Sequence, residues 1–290
     1  MRVRGGSRGA IEKTRALIAL TRPPNAIMMF IAILSGILLS DNKVFQMEKL
    51  LLSFVTAYGL CGSSMGFNDY FDREVDKVNA PWRPIPAGII SESDAILTSS
   101  ILASVGMLSA AATSMHCFVI AVIAFISAFT YNAQFKKMGF VGNNIVSAIV
   151  VAPFIYGSVL SDGYISQRLI TFILPVYLSN LGREVIKGIS DIEGDALRGV
   201  RSVARIRGEV IAARLGAIFY LAAVSISPLP YIFGLVNWSY VPIVLIADAG
   251  FIHCAISITR SPTKENSLRV KNWTLLWMLI ALIAFIAGSL

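Results

Sequence analysis

The sequence predicts an all-α fold whose helices cross the membrane many times. Hydrophobic residues make up 56% of the 290 residues and charged residues only 14%, whereas a soluble domain carries roughly a quarter of charged residues. Long apolar runs separate the few charges, and a run of about 18 or more apolar residues is typical of a transmembrane helix. So little charge cannot cover a water-facing surface, which excludes the soluble globular classes.

Nine apolar runs are long enough to be spans. They lie at about residues 16–39, 50–67, 95–114, 117–135, 141–160, 169–187, 210–233, 241–258 and 273–290. Pro23 and Pro24 predict a kink in the first run, because proline cannot continue the hydrogen bonding of a helix. The even spacing of the runs favours a single transmembrane domain over residues 1–290.

Lysine and arginine are concentrated on one side of these spans. The N-terminal tail and the segments after even-numbered runs carry 22 of the 25, and the other side carries Lys43, Lys49 and Arg168. Cytoplasmic loops collect basic residues, so we expect a cytoplasmic N-terminus and, after nine spans, an outside C-terminus in the cell membrane. The same rule explains the net charge of +8, and without a basic patch bearing interleaved aromatics we expect no nucleic-acid partner.

Cysteine and histidine indicate no soft-metal site. Cys61, Cys117 and Cys254 lie in or beside apolar runs without a short pairing motif, which is typical of packing residues. His116 and His253 stand alone in the sequence. Any metal in this protein is therefore expected to be held by oxygen ligands.

An acidic segment follows the second run. If that helix continues at 100° per residue, Asn68, Asp69, Asp72 and Asp76 lie on one face and Glu74 points away. Like charges this close on a helix repel each other. A positive group is therefore expected near this face.

A second acidic segment follows the sixth run. The residues predicted to share a face there are Glu184, Lys187, Asp191 and Asp195. Glu193 points away, and Gly188 is a potential interruption of the helix. Both segments therefore place an Asp-x-x-x-Asp pattern at the same side of the membrane.

Paired carboxylates without histidine or cysteine suit magnesium, which takes one or two protein carboxylates together with phosphate oxygens and water. The simpler alternative is that these acids are solvated helix ends. Their repetition four spans apart, in the same orientation, favours the metal and predicts a parallel internal repeat. A cation-coupled transporter is the competing class, but many transporters use inverted repeats and sites near the midplane.

Basic residues accompany both segments. Arg83 lies in the segment Pro81–Pro86, whose prolines restrict the backbone, and Lys187 shares the second acidic face. If the magnesium holds a diphosphate that leaves during a reaction, nearby cations are also needed to stabilise the charge that develops on it. The alternative is that these basic residues only set the orientation of the spans in the membrane.

Two longer patterns resemble a known family. Residues 68–88 read Asn-x3-Asp-x3-Asp and then Asn-x-Pro-x-Arg-Pro-Ile-Pro-x-Gly, which resembles the first signature of the UbiA superfamily of prenyltransferases. Residues 191–204 read Asp-x3-Asp, then Arg-Gly and Ser-x-Ala, which resembles the second. Arg22 with Asn25 resembles the first-helix motif, and Tyr131 with Lys136 the exit of the fourth helix. The resemblance covers most of the chain.

This resemblance implies nine transmembrane helices around a central cavity, with cap loops at about residues 72–94 and 188–208. It implies magnesium-dependent transfer from an allylic isoprenyl diphosphate to a lipid acceptor. The implied metal ligands, of which the four aspartates are the implied catalytic residues, are Asn68, Asp72, Asp76, Asp191 and Asp195. The implied substrate contacts are Arg22, Asn25, Arg83, Tyr131, Lys136, Lys187 and Arg201.

Within the superfamily, the wording Asp-Arg-Glu-Val-Asp and Arg-Pro-Ile-Pro-Ala-Gly is most similar to archaeal digeranylgeranylglyceryl phosphate synthases. That similarity implies transfer of a geranylgeranyl group to geranylgeranylglyceryl phosphate in ether-lipid synthesis. The alternatives within the superfamily are a chlorophyllide acceptor and an aromatic quinone precursor.

Overall fold

The computed structural model of the protein describes residues 6–43 and 46–290, and these residues form helices and no strands. The helices are α1 (Gly6–Thr21), α2 (Pro23–Leu38), α3 (Met47–Asn79), α4 (Glu92–Thr113), α5 (Met115–Ala133), α6 (Phe140–Asp162), α7 (Gln167–Ser190), α8 (Ile192–Leu197), α9 (Val203–Arg207), α10 (Glu209–Ile226), α11 (Leu229–Ile232), α12 (Tyr240–Arg260) and α13 (Lys264–Ser289). A 3₁₀ turn, Phe135–Met138, precedes α6. The first five residues of the predicted cytoplasmic tail lie outside the described residues.

Nine helical segments within the described ranges are long and apolar enough to cross a membrane, and each corresponds to one predicted run. The all-α polytopic fold is therefore confirmed. The first segment, Ala10–Leu38, combines α1 and α2 and begins six residues before the predicted run. The kink is confirmed: α1 ends at Thr21, α2 begins at Pro23, and Arg22 between them has a φ of +47°.

The first cap loop is shorter than predicted. Helix α3 continues to Asn79, so residues 72–79 are helical and the loop spans only residues 80–91. Pro81 marks the end because proline disfavours helical backbone in the residue before it. A capping box then starts α4, in which Ser91 and Asp94 each accept the other's backbone N–H at 3.0 Å.

The segment 188–208 is partly helical. Gly188 does not interrupt α7, which runs on to Ser190; the break falls at Asp191, with φ −104° and ψ 7°. A Cβ at Gly188 would make ordinary van der Waals contacts with Ser202 and Ala204, at 3.4 to 3.9 Å. The short helices α8 and α9 follow.

The described chain divides into two compact units, residues 6–33 with 46–133 and residues 34–43 with 134–290. In the first unit α3 packs closely on α4, since a Cβ at Gly59 would lie 2.6 Å from the carbonyl oxygen of Leu102. In the second unit α7, α10, α12 and α13 enclose a core in which the buried Tyr220 hydroxyl lies 2.7 Å from Thr274 Oγ1. Small residues at helix contacts are typical of membrane bundles.

Candidate active site

The first acidic segment lies on the last turns of α3, as the helical arithmetic predicted. Asp69 and Asp76 are buried, with 3% and 2% of their surface exposed. Asp72 is half-buried. The Glu74 side chain, in contrast, is 65% exposed, and its carboxylate pairs with Lys77 at 2.9 Å. The prediction that Glu74 points away from the shared face is confirmed.

The positive groups beside these carboxylates are two arginines. Arg22 Nη2 lies 2.5 Å from Asp69 Oδ1, and Arg83 Nη1 lies 3.2 Å from the same oxygen and 2.5 Å from Asp76 Oδ2. We call Arg22, Asp69, Asp76 and Arg83 the first ionic cluster. Buried carboxylates require partners, and these ion pairs explain why two acids can be buried on one helix face.

Arg83 reaches the cluster from the proline-rich loop. Its backbone N–H donates to the carbonyl of Ala80 at 3.0 Å, and its carbonyl accepts from Ala87 at 2.9 Å. The side chain of Arg83 is 30% exposed. The loop therefore holds one face of the guanidinium on the carboxylates and leaves another accessible to a ligand.

A cavity of about 420 Å³ lies beside this cluster within the first unit. Residues of α1, α3 and the proline-rich loop line it: Glu12, Arg15, Ala16, Ala19, Arg22, Asp69, Trp82, Arg83, Pro84 and Ile89. Sequence reasoning missed Arg15 as a site residue. Arg15 lies on α1, whereas Arg22 follows the end of that helix, so helical periodicity did not connect the two residues.

Asn68 is held by a residue that the sequence did not single out. Its Nδ2 donates to Asn132 Oδ1 at 3.0 Å, and Asn132 Nδ2 in turn donates to the carbonyl of Ser64 at 3.4 Å. Asn68 therefore uses its amide N–H₂ here, which leaves the amide oxygen as its possible ligand atom. The neighbouring Tyr131 is half-buried near the end of α5, while Asn25 is exposed and lies 3.7 Å from Met65 Sδ.

The second acidic segment keeps its register across the break at Asp191. The backbone N–H of Asp191 donates to the backbone carbonyl of Lys187 at 3.2 Å, and the backbone N–H of Asp195 donates to the backbone carbonyl of Asp191 at 2.7 Å. Helical spacing thus persists from Lys187 to Asp195. Glu193 is exposed and pairs with Lys264 at 3.2 Å, so it points away as predicted.

The carboxylates of Asp191 and Asp195 lack the arginine partners found in the first cluster. Among the described residues neither makes an ion pair; Asp191 accepts from the Ser190 hydroxyl at 3.0 Å. Burial is the main effect that raises the pKa of the Asp195 carboxyl, and the charge of Asp191 adds to it, while the Ser202 hydroxyl, Lys187 and Arg198 offset part of this increase.

Lys187, Lys136 and Arg201 are positioned by local contacts. Glu184 holds Lys187 at 3.3 Å. The backbone N–H of the exposed Arg201 donates to the carbonyl of Lys137 at 3.0 Å, which joins the loop after α8 to the 3₁₀ turn that carries Lys136. Two predicted substrate contacts thus lie on segments joined by one backbone hydrogen bond.

The donor chemistry of both segments fits magnesium. Each offers carboxylate oxygens, and Asn68 adds an amide oxygen. Across the described ranges, no three Asp, Glu, His or Cys side chains converge on one position. An ion that completes its shell with phosphate oxygens and water needs only one or two carboxylates, so these acids suit magnesium together with a diphosphate better than magnesium alone.

Asp248, an acid within a span, has a structural role. Its Oδ2 accepts from the Ser227 hydroxyl at 2.6 Å, and Tyr240 donates to the carbonyl of Ser227 at 2.6 Å. These bonds tie the break between α10 and α11 to α12. An intramembrane acid is often functional; here one carboxylate oxygen, Oδ2, is engaged by a neighbouring hydroxyl.

Known proteins resemble this chain along nearly its whole length. The UbiA prenyltransferase family matches residues 29–283. Digeranylgeranylglyceryl phosphate synthase of Archaeoglobus fulgidus is 36% identical over 279 residues, which is 95% of each chain. The synthases of Thermococcus kodakarensis and Pyrococcus furiosus are 32% and 33% identical, over 95% and 96% of this chain and 98% of theirs.

Solved structures agree with the fold. A structure of digeranylgeranylglyceryl phosphate synthase in membranes superposes with a TM-score of 0.85 at 31% identity, covering 96% of this chain and 99% of that one. A UbiA homologue from Archaeoglobus fulgidus, bound to DMAPP and Mg²⁺, superposes with a TM-score of 0.70 at 17% identity and covers 93% and 98% of the two chains. At that lower identity the likeness supports the fold alone.

Proposed function

Because the chain belongs to the UbiA prenyltransferase family, we propose that it transfers a geranylgeranyl group from geranylgeranyl diphosphate to geranylgeranylglyceryl phosphate. The observation that carries this proposal is the end-to-end identity of 31–36% to proteins named for that synthesis. The protein is a multi-pass membrane enzyme, and the transporter considered above is set aside. The acceptors chlorophyllide and an aromatic quinone precursor become outcomes of the test.

The reaction replaces one carbon–oxygen bond by another. The allylic carbon leaves its diphosphate oxygen, and the free hydroxyl of the acceptor attacks that carbon to form an ether and release a proton. Magnesium, when bound, neutralises charge on the diphosphate and holds it in place. We propose that Asn68, Asp72 and Asp76 on one segment and Asp191 and Asp195 on the other bind it.

The arginines of the first ionic cluster have donors left for a diphosphate. A guanidinium carries five N–H donors, and Arg22 uses one on Asp69. Their carboxylate partners fix both guanidiniums, so ligand binding would immobilise little additional side chain. We assign Arg22 and Arg83 to the diphosphate with Lys187, Lys136 and Arg201.

Two further parts of the proposal concern architecture. We propose that residues 1–290 form one prenyltransferase domain, with residues 80–91 and 188–208 as its cap segments. The N-terminus is cytoplasmic and the C-terminus outside, as the distribution of basic residues favours. We expect a reporter of membrane sidedness fused after Leu290 to be located outside the cell. A cytoplasmic location of the reporter would contradict this orientation.

An acceptor panel tests the function. Membranes containing the chain receive labelled geranylgeranyl diphosphate with geranylgeranylglyceryl phosphate, chlorophyllide or 4-hydroxybenzoate. We expect label in the glycerol phosphate lipid alone, with diphosphate released. Transfer to either other acceptor, without transfer to the glycerol phosphate, would overturn the substrate and leave the prenyltransferase assignment intact.

A further inference from the structure

A cationic cavity that none of the proposed metal ligands lines lies where α12 ends and α13 begins. Its volume is about 500 Å³, and it belongs wholly to the second unit. Arg260 and Arg269 line it, together with the hydroxyl groups of Ser257, Ser261 and Thr263. None of these residues has a part in the proposed transfer reaction.

The two arginines are exposed and make no hydrogen bond or ion pair with any described residue. The other titratable groups of the cavity are His253 and Glu265. With histidine neutral, the two arginines outweigh the one carboxylate. Basic residues gather at cytoplasmic loops for topology, so charge alone does not define a site.

Hydrogen bonds hold the turn that forms one wall of the cavity. Asn266 Nδ2 donates to the carbonyl oxygens of Ser257 at 3.0 Å and Ser261 at 2.8 Å, and Ser257 Oγ lies 3.1 Å from Asn266 Oδ1. Thr263 Oγ1 accepts from the backbone of Asn266 at 3.3 Å. These bonds fix the short turn between the helices, so the arginines on either side are carried by a defined frame.

Apolar surface continues from the cavity along the same helices. Both helices are candidate membrane spans, so the turn between them lies where the chain leaves the apolar layer. Ile252, Ile256 and Leu268 are 38–45% exposed beside the cavity residues. Trp273 is 48% exposed and stacks on Trp277, and tryptophan is typical of the membrane–water interface.

We propose that this cavity binds the headgroup of an anionic membrane lipid that is neither donor nor acceptor in the transfer reaction. Arg260 and Arg269 donate to the phosphate oxygens, and the lipid chains lie along the exposed apolar residues. Basic pockets between transmembrane helices suit such headgroups. Glu265 disfavours a second phosphate and can accept from a headgroup hydroxyl, so the site fits a single phosphodiester with a hydroxylated headgroup.

Lipid titration of the full chain, followed by native mass spectrometry, tests this proposal. The probe is dioleoyl phosphatidylglycerol, compared with dioleoyl phosphatidylcholine and inorganic phosphate. We expect one phosphatidylglycerol to be retained in preference to phosphatidylcholine. The R260Q/R269Q variant should bind it at least about tenfold more weakly, the effect of losing one charge-assisted hydrogen bond.

The matched control is R207Q/R214Q, which removes two exposed arginines of the second unit that make no described contact and do not line the cavity. It should bind the lipid like the unaltered chain. Equal loss in this control, equal retention of phosphatidylcholine, or displacement of the lipid by equimolar inorganic phosphate would each overturn the proposal. If R260Q/R269Q fails to fold, R260Q alone, at the exposed end of α12, carries the same test.

Discussion

The two acidic segments share the Asp-x-x-x-Asp spacing, yet the chain positions them by different means. In the first, an unbroken helix carries the acids, and Arg22 and Arg83 neutralise Asp69 and Asp76. In the second, the helix breaks at Asp191, and no described ion pair reaches either aspartate. Equal spacing in sequence therefore gives unequal electrostatics.

The difference in ion pairing suggests different roles for the two acidic segments. The first segment is stable without an added cation, because its arginines already offset the repulsion between carboxylates. The second holds two half-buried acids together without an ion pair from a described residue. We therefore expect a divalent cation to stabilise the second segment more than the first, whereas the first also supplies the arginines that we propose bind the diphosphate.

The largest expected effect comes from removing a carboxylate from either segment. D72N and D191N should each lower turnover by at least about a hundredfold, because each removes a proposed magnesium ligand. Steady-state release of diphosphate measures the effect, with thermal unfolding in detergent as the check on folding. The matched controls are E74Q and E193Q, whose exposed side chains face away. Equal damage by the glutamate variants would refute the assignment of the shared faces.

Replacing a cation in each segment should distinguish their roles. R83A and K187A should each weaken use of the allylic diphosphate by about ten- to a hundredfold, the effect of a lost charge-assisted hydrogen bond. Only R83A should also lower the unfolding temperature clearly, because it leaves buried Asp76 without its partner. Equal unfolding temperatures in the two variants would remove the distinction between the segments.

A backbone contact supports the second segment where ion pairs support the first. Gly139 has a φ of +57°, and a Cβ there would overlap the carbonyl oxygen of Arg201. G139A should destabilise the protein by about 1–3 kcal/mol more than backbone strain alone and should impair diphosphate binding. The control G163A also has a positive φ, +79°, but a left-handed helical ψ of −5° where Gly139 has −108°; it has open space around it and should cost about 1–2 kcal/mol. Equal effects in the two variants would contradict the steric argument.

The smallest effect is expected outside both segments. D248N can still accept the hydrogen bond from Ser227, so stability should change by less than about 1 kcal/mol and turnover should be unaffected. Thermal unfolding and steady-state kinetics check both statements. A large loss of turnover with unchanged stability would make Asp248 a functional acid.

The sequence predicted the spans well because charge is costly in a bilayer, so apolar runs and their interruptions mark helices directly. It predicted the aspartate face of α3 because helical rotation is a local property. The pairing of Arg22 with Asp69 joins two residues that are 47 positions apart in the sequence. No local pattern encodes such a contact.

Local reasoning also misjudged the second segment. It expected Gly188 as a potential interruption of the helix, but α7 continues to Ser190 and the break lies at Asp191. It likewise overlooked Asn132, which is singled out by its hydrogen bond to Asn68. That contact joins α3 to α5, so no local pattern could indicate it.

The most direct test of the central claim is a magnesium titration of prenyl transfer by the purified chain. Labelled geranylgeranyl diphosphate and geranylgeranylglyceryl phosphate are supplied together, and ether product and free diphosphate are counted. We expect equal amounts of both products, a saturable dependence on magnesium, complete loss with a chelator and full recovery when magnesium is restored. Undiminished ether formation in the presence of the chelator would contradict it.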